Sequence, residues 1–246
     1  MQLNKTVKSI SFDKGQVWRP YVSDEQNAFS ASFKDGGSVS IFNYYLFVIS
    51  IVLLTFSPAR SDDYVACQST KALESLAACT RIIERGDTIT NKLASAYFNR
   101  GVVYTNSGKI DLAISDYTKV IELNPKHADA FVNRGSAYRD TGDLKKSLDD
   151  YGQALKIAPR LSEAFHGRSI VFALQGELNF VVKDLDQAII INPNDSIAFF
   201  NRGIAQYKLG NIEAAVDDIK RTLKIDPYNR EAKAVLNQIT PNNIKK

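Results

Sequence analysis

The side chains that could do chemistry are few and lie far apart along the 246-residue chain. The only cysteines are Cys67 and Cys79. The only histidines, His127 and His166, follow much later. A zinc site built on two cysteines needs two histidines close by, so this spacing predicts no metal site and no cofactor. A lone histidine such as His166 is more often a packing or binding residue than a base, and we predict that the chain is not an enzyme.

Known catalytic and nucleotide-binding motifs are also missing from the sequence. Residues 101–109, GVVYTNSGK, superficially resemble a phosphate-binding loop. That loop needs four residues between its glycines and a Ser or Thr after its lysine, and neither condition holds here. The net charge is only +4, with acidic residues spread between basic ones, so neither nucleic acid nor an anionic membrane surface is an expected ligand.

Four arginines recur at a fixed spacing, and each is followed by an aspartate at the same offset. They are Arg100, Arg134, Arg168 and Arg202, followed by Asp116, Asp150, Asp184 and Asp218. Such a ladder of arginines could bind anionic ligands. The matching aspartates favour a structural role instead, in which each arginine is paired with a carboxylate on a second helix.

Both series belong to a sequence unit that is repeated four times, without gaps, between Ala94 and Asn229. Small residues and prolines return at constant offsets in every unit. They are Gly101, Gly135, Ser169 and Gly203; Gly108, Gly142, Gly176 and Gly210; and Pro125, Pro159, Pro193 and Pro227. A period of this length predicts a stack of helical hairpins, each of which needs a neighbour to bury its apolar face.

Each unit has the pattern of two amphipathic helices separated by a turn. In the unit of residues 94–127, Gly108 is suited to the left-handed conformation that ends a first helix, and Pro125 stops a second helix. Gly101 and Ala113 remove side-chain bulk where the two helices are expected to cross. Ala130, Ala154 and Ala188 are expected to play the same role between neighbouring hairpins.

These offsets of aromatic, glycine, alanine and proline residues resemble the tetratricopeptide repeat family over residues 94–229. The resemblance implies an all-α fold, a right-handed superhelical solenoid of antiparallel helix hairpins. Its four units are residues 94–127, 128–161, 162–195 and 196–229. The third unit departs most from the pattern, because Ser169, Val181 and Gly167 replace a glycine, a small residue and an asparagine, and we expect a looser helix crossing there.

The ends of the array have patterns of their own. Residues 230–240 form an amphipathic segment suited to a capping helix, and residues 62–93 resemble an atypical leading helix pair. The segment Ala-Ala-Cys-Thr-Arg at residues 77–81 is similar to one found before the first repeat in a group of exported bacterial proteins.

A nearly unbroken apolar run, residues 41–56, precedes the array. It is short for a membrane span and fits the core of an export signal over residues 41–61, with cleavage after Ala59 or Ser61. An uncleaved inner-membrane anchor is the second interpretation, and a buried helix is the third. Residues 1–40 show no periodicity, which indicates a disordered tail or a start codon placed too far upstream. We expect the protein in the periplasm or secreted.

Cys67 and Cys79 lie on the two expected helices of the leading pair, so their side chains can meet across it. An export signal would place them in an oxidising compartment, where a disulfide is expected. In a cytosolic protein, two buried free thiols would be the better interpretation.

The resemblance also implies a function for the first helices of the hairpins, which in this family line a concave groove that holds a peptide or helix of a partner protein. The corresponding side chains are called the groove residues below. They are Phe98, Asn99, Val102, Asn106, Val132, Asn133, Ser136, Arg139, His166, Ile170, Phe200, Asn201, Ile204, Tyr207 and Lys208. We expect a scaffold that binds a protein partner; the alternative is a membrane-anchored structural or assembly factor of the cell envelope.

Overall fold

The computed structural model describes residues 59–86 and 89–240, and the regular elements of these residues are eleven α-helices. In chain order they are α1 (Ala59–Cys67), α2 (Ala72–Glu84), α3 (Thr90–Asn106), α4 (Ile110–Leu123), α5 (Ala128–Asp140), α6 (Leu144–Ile157), α7 (Ser162–Gln175), α8 (Leu178–Ile191), α9 (Ser196–Lys208), α10 (Ile212–Ile225) and α11 (Arg230–Ile239).

Consecutive helices pack as hairpins, and each hairpin packs on the next. The pairs α3/α4, α5/α6, α7/α8 and α9/α10 form the four predicted units, and the second helix of each contacts the first helix of its successor. The predicted all-α solenoid of hairpins is therefore confirmed. Two boundaries differ from the predictions. Helix α3 begins at Thr90, one turn before the repeat, and α1 begins at Ala59, three residues before the predicted leading pair of residues 62–93.

The turn inside each hairpin forms as the glycine pattern predicts. Gly108 has a φ angle of 71°, in the left-handed region where a side chain would be strained. The amide of Lys109 then donates a hydrogen bond of 2.9 Å back to the carbonyl oxygen of Tyr104, which closes the end of α3. Helix α4 ends at Leu123, just before Pro125.

Small residues let the helices approach one another. Ala113, Ala130, Ala154 and Ala188 are completely buried, as predicted. A Cβ atom on Gly101 would lie 2.7 Å from the Cε1 atom of Tyr117, so the glycine leaves room for this ring inside its own hairpin.

The third hairpin differs from the others in the size of three side chains at its contacts. A Cβ atom on Gly167 would lie 2.3 Å from the Cε1 and Cζ atoms of Tyr151, so that ring crosses from α6 into the space where other units carry an asparagine. Ser169 and Val181 are both buried. The larger side chains are therefore enclosed and the ring of Tyr151 fills the space beside Gly167, while the expectation of a looser crossing in this unit stays a prediction.

The last helix covers the end of the array. Ala232, Val235 and Ile239 of α11 are buried against Ala215 and Ile219 of α10. The remaining positions of α11 are mostly charged or polar and exposed. Residues 230–239 are thus a capping helix, as predicted.

The arginine ladder pairs the two helices of every hairpin. Arg134 on α5 donates from Nε and Nη2 to the two carboxylate oxygens of Asp150 on α6, both at 2.8 Å. The same bidentate pair joins Arg100 to Asp116, Arg168 to Asp184 and Arg202 to Asp218. Hydrogen bonds from the guanidinium to Asp150 raise the pKa of Arg134 above its ordinary value, although burial opposes the shift. The structural interpretation of the ladder is confirmed.

Arg134 has further contacts on both sides. The guanidinium of Arg134 lies between the rings of Phe131 and Tyr138, with its Cζ atom 5.7 and 5.8 Å from the two ring centres. Its Nη1 atom donates to Thr118 Oγ1 at 3.0 Å, on the second helix of the preceding hairpin. One side chain therefore connects three helices.

The leading pair, α1 and α2, is joined by the disulfide predicted between Cys67 and Cys79, whose Cα atoms are 4.8 Å apart. Ser75 Oγ donates a hydrogen bond of 2.8 Å to the carbonyl oxygen of Cys67. At the other end of the pair, the buried carboxylate of Asp63 accepts hydrogen bonds from Arg81, at 2.6 Å, and from Arg85. The pair is therefore fixed at both ends.

The predicted tail, residues 1–40, and the apolar run, residues 41–56, lie outside the described residues. In the part of the chain that the structure describes, no helix combines the length and the apolar character needed to cross a bilayer.

We expect the substitution Arg134→Ala to lower the free energy of unfolding by about 3 kcal/mol, because it leaves Asp150 buried and unpaired. Urea denaturation followed by far-UV circular dichroism measures the change. The double substitution of Arg134 by Met and Asp150 by Leu should recover most of it, since both charges are then removed.

The control is Lys119→Ala, which breaks an exposed pair with Glu122, and it should leave the urea midpoint unchanged. If Arg134→Ala behaved like this control, the ladder would not stabilise the fold.

We also expect the Cys67–Cys79 disulfide in purified protein. Alkylation without reductant should modify no thiol, and alkylation after reduction should modify two, as read by mass spectrometry. Replacing both cysteines by alanine should lower the free energy of unfolding by about 2 to 3 kcal/mol, because the bond closes a short loop in the unfolded chain. Two alkylated thiols in unreduced protein would contradict the assignment.

Candidate functional site

The groove residues all lie on the first helices of the four hairpins: α3, α5, α7 and α9. Helix α5 contacts both α3 and α7 directly. The first helices of the first three repeats therefore lie side by side and present one continuous surface. We call the surface that carries the groove residues the groove face.

The groove residues differ in how much of each side chain a ligand could reach. Asn106 and Lys208 are exposed, at the ends of α3 and α9. Ile204 is only 4% exposed. The others are half-buried.

Ile204 was predicted to contact a partner, but it is buried and does not belong to the binding surface. Its side chain packs in the core of the last hairpin with Ala215, Ile219 and Val235. The capping helix α11 supplies Val235 and covers the position, so Ile204 contributes to stability and not to the surface. Phe200 and Tyr207 pack against the same cluster with part of each ring still accessible.

Phe98 also belongs partly to the fold. Its ring stacks on the imidazole of His127, with the ring centres 5.0 Å apart, and it lies 5.9 Å from the ring of Tyr117. His127 is the N-cap residue of α5, where Nδ1 accepts a hydrogen bond from the amide of Ala130. Phe98 therefore joins the first hairpin to the start of the second.

His166 has the corresponding position in the third repeat. Its Nε2 atom is buried and lies 3.3 Å from Asp195 Oδ2, without the geometry of a hydrogen bond. Asp195 is the N-cap residue of α9 and accepts hydrogen bonds from the amides of Ile197 and Ala198, both at 3.0 Å. The pair joins the third hairpin to the fourth.

The environment of Asp195 keeps its carboxylate charged. Burial alone would raise its pKa, but the imidazole of His166 and the two helix amides outweigh this effect and hold the pKa below its usual range. The charged carboxylate is a strong cap for α9.

Contacts between a first helix and the next N-cap were missed in the sequence. His127 follows Phe98 at the same offset at which Asp195 follows His166. The constant offset could have indicated the contact, because it places a residue of one first helix next to the N-cap of the following first helix. The repeat pattern describes one unit at a time, so a contact between two units does not follow from it.

Groove residues of the second repeat have polar contacts. Ser136 Oγ lies 2.8 Å from the hydroxyl oxygen of Tyr151, and burial raises the pKa of that phenol. Arg139 donates from Nε and Nη2 to Asp140 Oδ1, at 3.0 and 2.9 Å. Its charge is thus already balanced on its own helix.

Asn99 connects the groove face to the leading pair. Its side-chain Nδ2 atom lies 3.8 Å from Cys67 Sγ, a weak contact with the disulfide. The leading pair therefore borders the groove face at the first repeat.

Most of the other groove residues are neutral. Amides and apolar side chains make up most of this set, and the charged exception is at the end of α9. They are Asn99, Val102, Asn106, Val132, Asn133, Ile170, Phe200, Asn201, Tyr207 and Lys208. Among the described residues, no group of three His, Cys, Asp or Glu side chains could hold a metal ion.

The model of the tetratricopeptide repeat family matches residues 94–127, 128–161 and 196–229. These ranges have the bounds of the first, second and fourth predicted units. The third unit, which departs most from the pattern, lies outside them. A comparison with curated proteins found no match.

Several solved structures have the same fold. The crystal structure of MamA aligns with a TM-score of 0.58 at 20% identity, over 66% of this chain and 91% of that one. The structure of YrrB aligns with a TM-score of 0.60 at 19% identity, over 77% and 96%. A tetratricopeptide repeat protein of Parabacteroides merdae gives 0.63 at 18% identity, over 74% and 72%. The repeat spacing, the hairpin stack and the matches of the family model together show that residues 94–161 and 196–229 are tetratricopeptide repeats.

Proposed function

We propose that the chain is a protein-interaction scaffold that holds a peptide or helix of a partner protein on the groove face. The observation that carries the proposal is the continuous surface of α3, α5 and α7, where neighbouring first helices lie side by side. The four ladder arginines are each paired with an aspartate inside their hairpins. The side chains of the groove face are the ones that this proposal assigns to partner binding.

The chemistry of this face fits an extended or helical segment of protein. Side-chain amides such as Asn133 and Asn201 can donate to a peptide carbonyl and accept from a peptide amide. Val102, Ile170 and Tyr207, on the same face as these asparagines, offer apolar contacts to the ligand. YrrB, which shares the fold, is a tetratricopeptide repeat protein with an unusual peptide-binding site.

The partner segment is expected to be mainly apolar and uncharged where it contacts the groove face. Phe98 and other non-basic residues stand where lysines clamp a terminal carboxylate in the co-chaperone members of the family. Arg139 is paired with Asp140, and Lys208 lies at the edge. A mode of binding based on a carboxylate clamp is therefore disfavoured.

We further propose that the repeats work outside the cytoplasm, in the periplasm or as a secreted domain. The disulfide of the leading pair and the apolar run of residues 41–56 support this location. Under the alternative, a structural or assembly factor of the cell envelope, the same run remains in the chain as a membrane anchor.

The binding proposal predicts that Asn133→Ala and Ile170→Ala each weaken the complex with a partner isolated on the full chain, by about 1 to 3 kcal/mol. Both residues are half-buried on first helices, so truncation removes ligand contacts and leaves the helices in place. Isothermal titration calorimetry measures the affinity, and circular dichroism checks the helical content.

A matched control is Gln153→Ala, at an exposed position of the second helix α6. It should leave the affinity unchanged. The groove proposal would be wrong if Gln153→Ala weakened the complex as much as Ile170→Ala, or if neither groove substitution had an effect.

The location proposal predicts a mature chain that begins near Arg60 or Asp62. N-terminal sequencing of protein purified from the cell envelope and the soluble extracellular fractions reads this directly. An intact segment 41–56 in membrane-bound protein would favour the anchored alternative, and intact cytosolic protein would contradict both.

A further inference from the structure

The ladder arginines use a third nitrogen to reach the preceding hairpin. Nη1 of Arg134 donates to Thr118 Oγ1 at 3.0 Å, and Nη1 of Arg202 donates to Asp186 Oδ1 at 2.6 Å. Nη1 of Arg100 lies 3.5 Å from Thr80 Oγ1. In each case the acceptor is a side chain on the second helix of the preceding hairpin.

The third repeat lacks this acceptor. Thr118 and Asp186 precede Arg134 and Arg202 at one constant offset, and the residue at that offset before Arg168 is Gly152. A Cβ atom on Gly152 would meet no heavy atom within 4 Å, so the space beside α6 is open. The Arg168 side chain is accordingly more exposed, at 25%, than that of Arg134, at 16%.

The direction of the open nitrogen is fixed by the rest of the guanidinium. Nε and Nη2 of Arg168 donate to the two oxygens of Asp184, at 2.8 and 2.7 Å, as in the other repeats. Because the guanidinium is planar and both of these nitrogens are held, the orientation of Nη1 is fixed. The Nη1 atoms of Arg134 and Arg202 donate to the residues at the position equivalent to Gly152. The donor is therefore held in place beside an empty notch.

Two stacked aromatic rings lie next to the guanidinium of Arg168. The ring of Phe172 lies 5.9 Å from Arg168 Cζ and stacks on the ring of Phe180, with centres 5.0 Å apart. Phe180 is 48% exposed and stands one turn before Asp184 on α8. The equivalent pair in the second repeat is Tyr138 with Lys146, where a cation covers the ring.

The notch is separate from the groove face. Arg168 is two residues from both His166 and Ile170 on α7, and two residues are more than half a turn of an α-helix. Its partner Asp184 lies on the second helix α8, and Gly152 lies on the second helix α6. A ligand at the notch and a ligand on the groove face would thus occupy opposite sides of the same helix.

We propose that the notch formed by Gly152, Arg168, Phe172 and Phe180 is a second docking site, which binds an aspartate or glutamate side chain of a partner protein next to an apolar residue. Arg202 supplies the template, because its guanidinium binds two carboxylates at once, those of Asp218 and Asp186. The partner's carboxylate takes the place of Asp186, and its apolar neighbour covers the ring of Phe180. This site adds to the groove-face proposal and does not depend on it.

The test uses the dipeptide acetyl-Asp-Phe-amide and, as its neutral counterpart, acetyl-Asn-Phe-amide. Each is titrated into the isotopically labelled full chain at constant ionic strength, and the Nε–Hε signals of the ladder arginines are followed by NMR. We expect a saturable shift at Arg168 in the millimolar range, with the other three arginines unaffected. The neutral peptide should bind roughly tenfold more weakly.

Variants at Gly152 test whether the peptide binds in the open space beside this residue. Gly152→Asp supplies the carboxylate from within, as Asp186 does for Arg202, and should reduce binding roughly tenfold. Gly152→Thr, which copies Thr118, should also reduce it. Gly152→Ala adds only the Cβ atom and should retain binding. The thermal midpoint of each variant, which should not fall, checks the fold.

Four results would overturn the proposal: no shift at Arg168, equal binding of the two peptides, unchanged binding in Gly152→Asp, or an equal response of all four ladder arginines. Inorganic phosphate serves as a competitor. If it bound Arg168 more tightly than the acidic peptide, the site would be one for free oxyanions and not for a protein side chain. Substitutions at Asn133 and Ile170 should leave the peptide affinity unchanged, so failure here and failure of the groove face are distinguishable.

Discussion

The pairing of a half-buried arginine with a buried aspartate is the interaction on which the array depends. In each hairpin the guanidinium lies beside one or two aromatic rings of its own helix. Its geometry is fixed because both carboxylate oxygens are bound at 2.6 to 2.9 Å. A buried ion pair has a large desolvation cost, so its main effect is to specify which helix faces which. The arginine–aspartate pairs thus fix the angle between the two helices of a hairpin, and the small residues and aromatic rings pack at that angle.

The fold could be predicted from the sequence because the turn glycine and the proline recur in all four units and the small crossing residues recur in most of them. Glycine at the turn, proline after the second helix and alanine at the crossing each have one physical explanation, and the explanations agree. The starts of α1 and α3 could not be placed as well. Residues before Ala94 follow no repeat, and helix ends without a capping side chain, such as Ile89, leave little local signal.

The candidate site was less predictable, because the family pattern does not show which neighbouring helix buries a given side chain. Ile204 has the groove offset, yet the capping helix buries it with Val235. Phe98 and His166 face the N-caps of the next hairpins. These outcomes depend on contacts between units, whereas the sequence pattern describes one unit at a time. The ladder was the favourable case, since both partners of each pair lie inside one unit.

The contact between Tyr151 and Gly167 has a consequence for how such a chain can evolve. Repeat arrays grow and shrink by duplication and loss of whole units, which requires that any unit fit beside any other. Here the ring of Tyr151 occupies the space of a missing side chain in its successor. Loss of the third unit would place that ring against Asn201, and loss of the second would leave Gly167 facing Tyr117, which turns towards Gly101 instead. The second and third hairpins are thus fitted to each other, and loss of either one would disturb this contact.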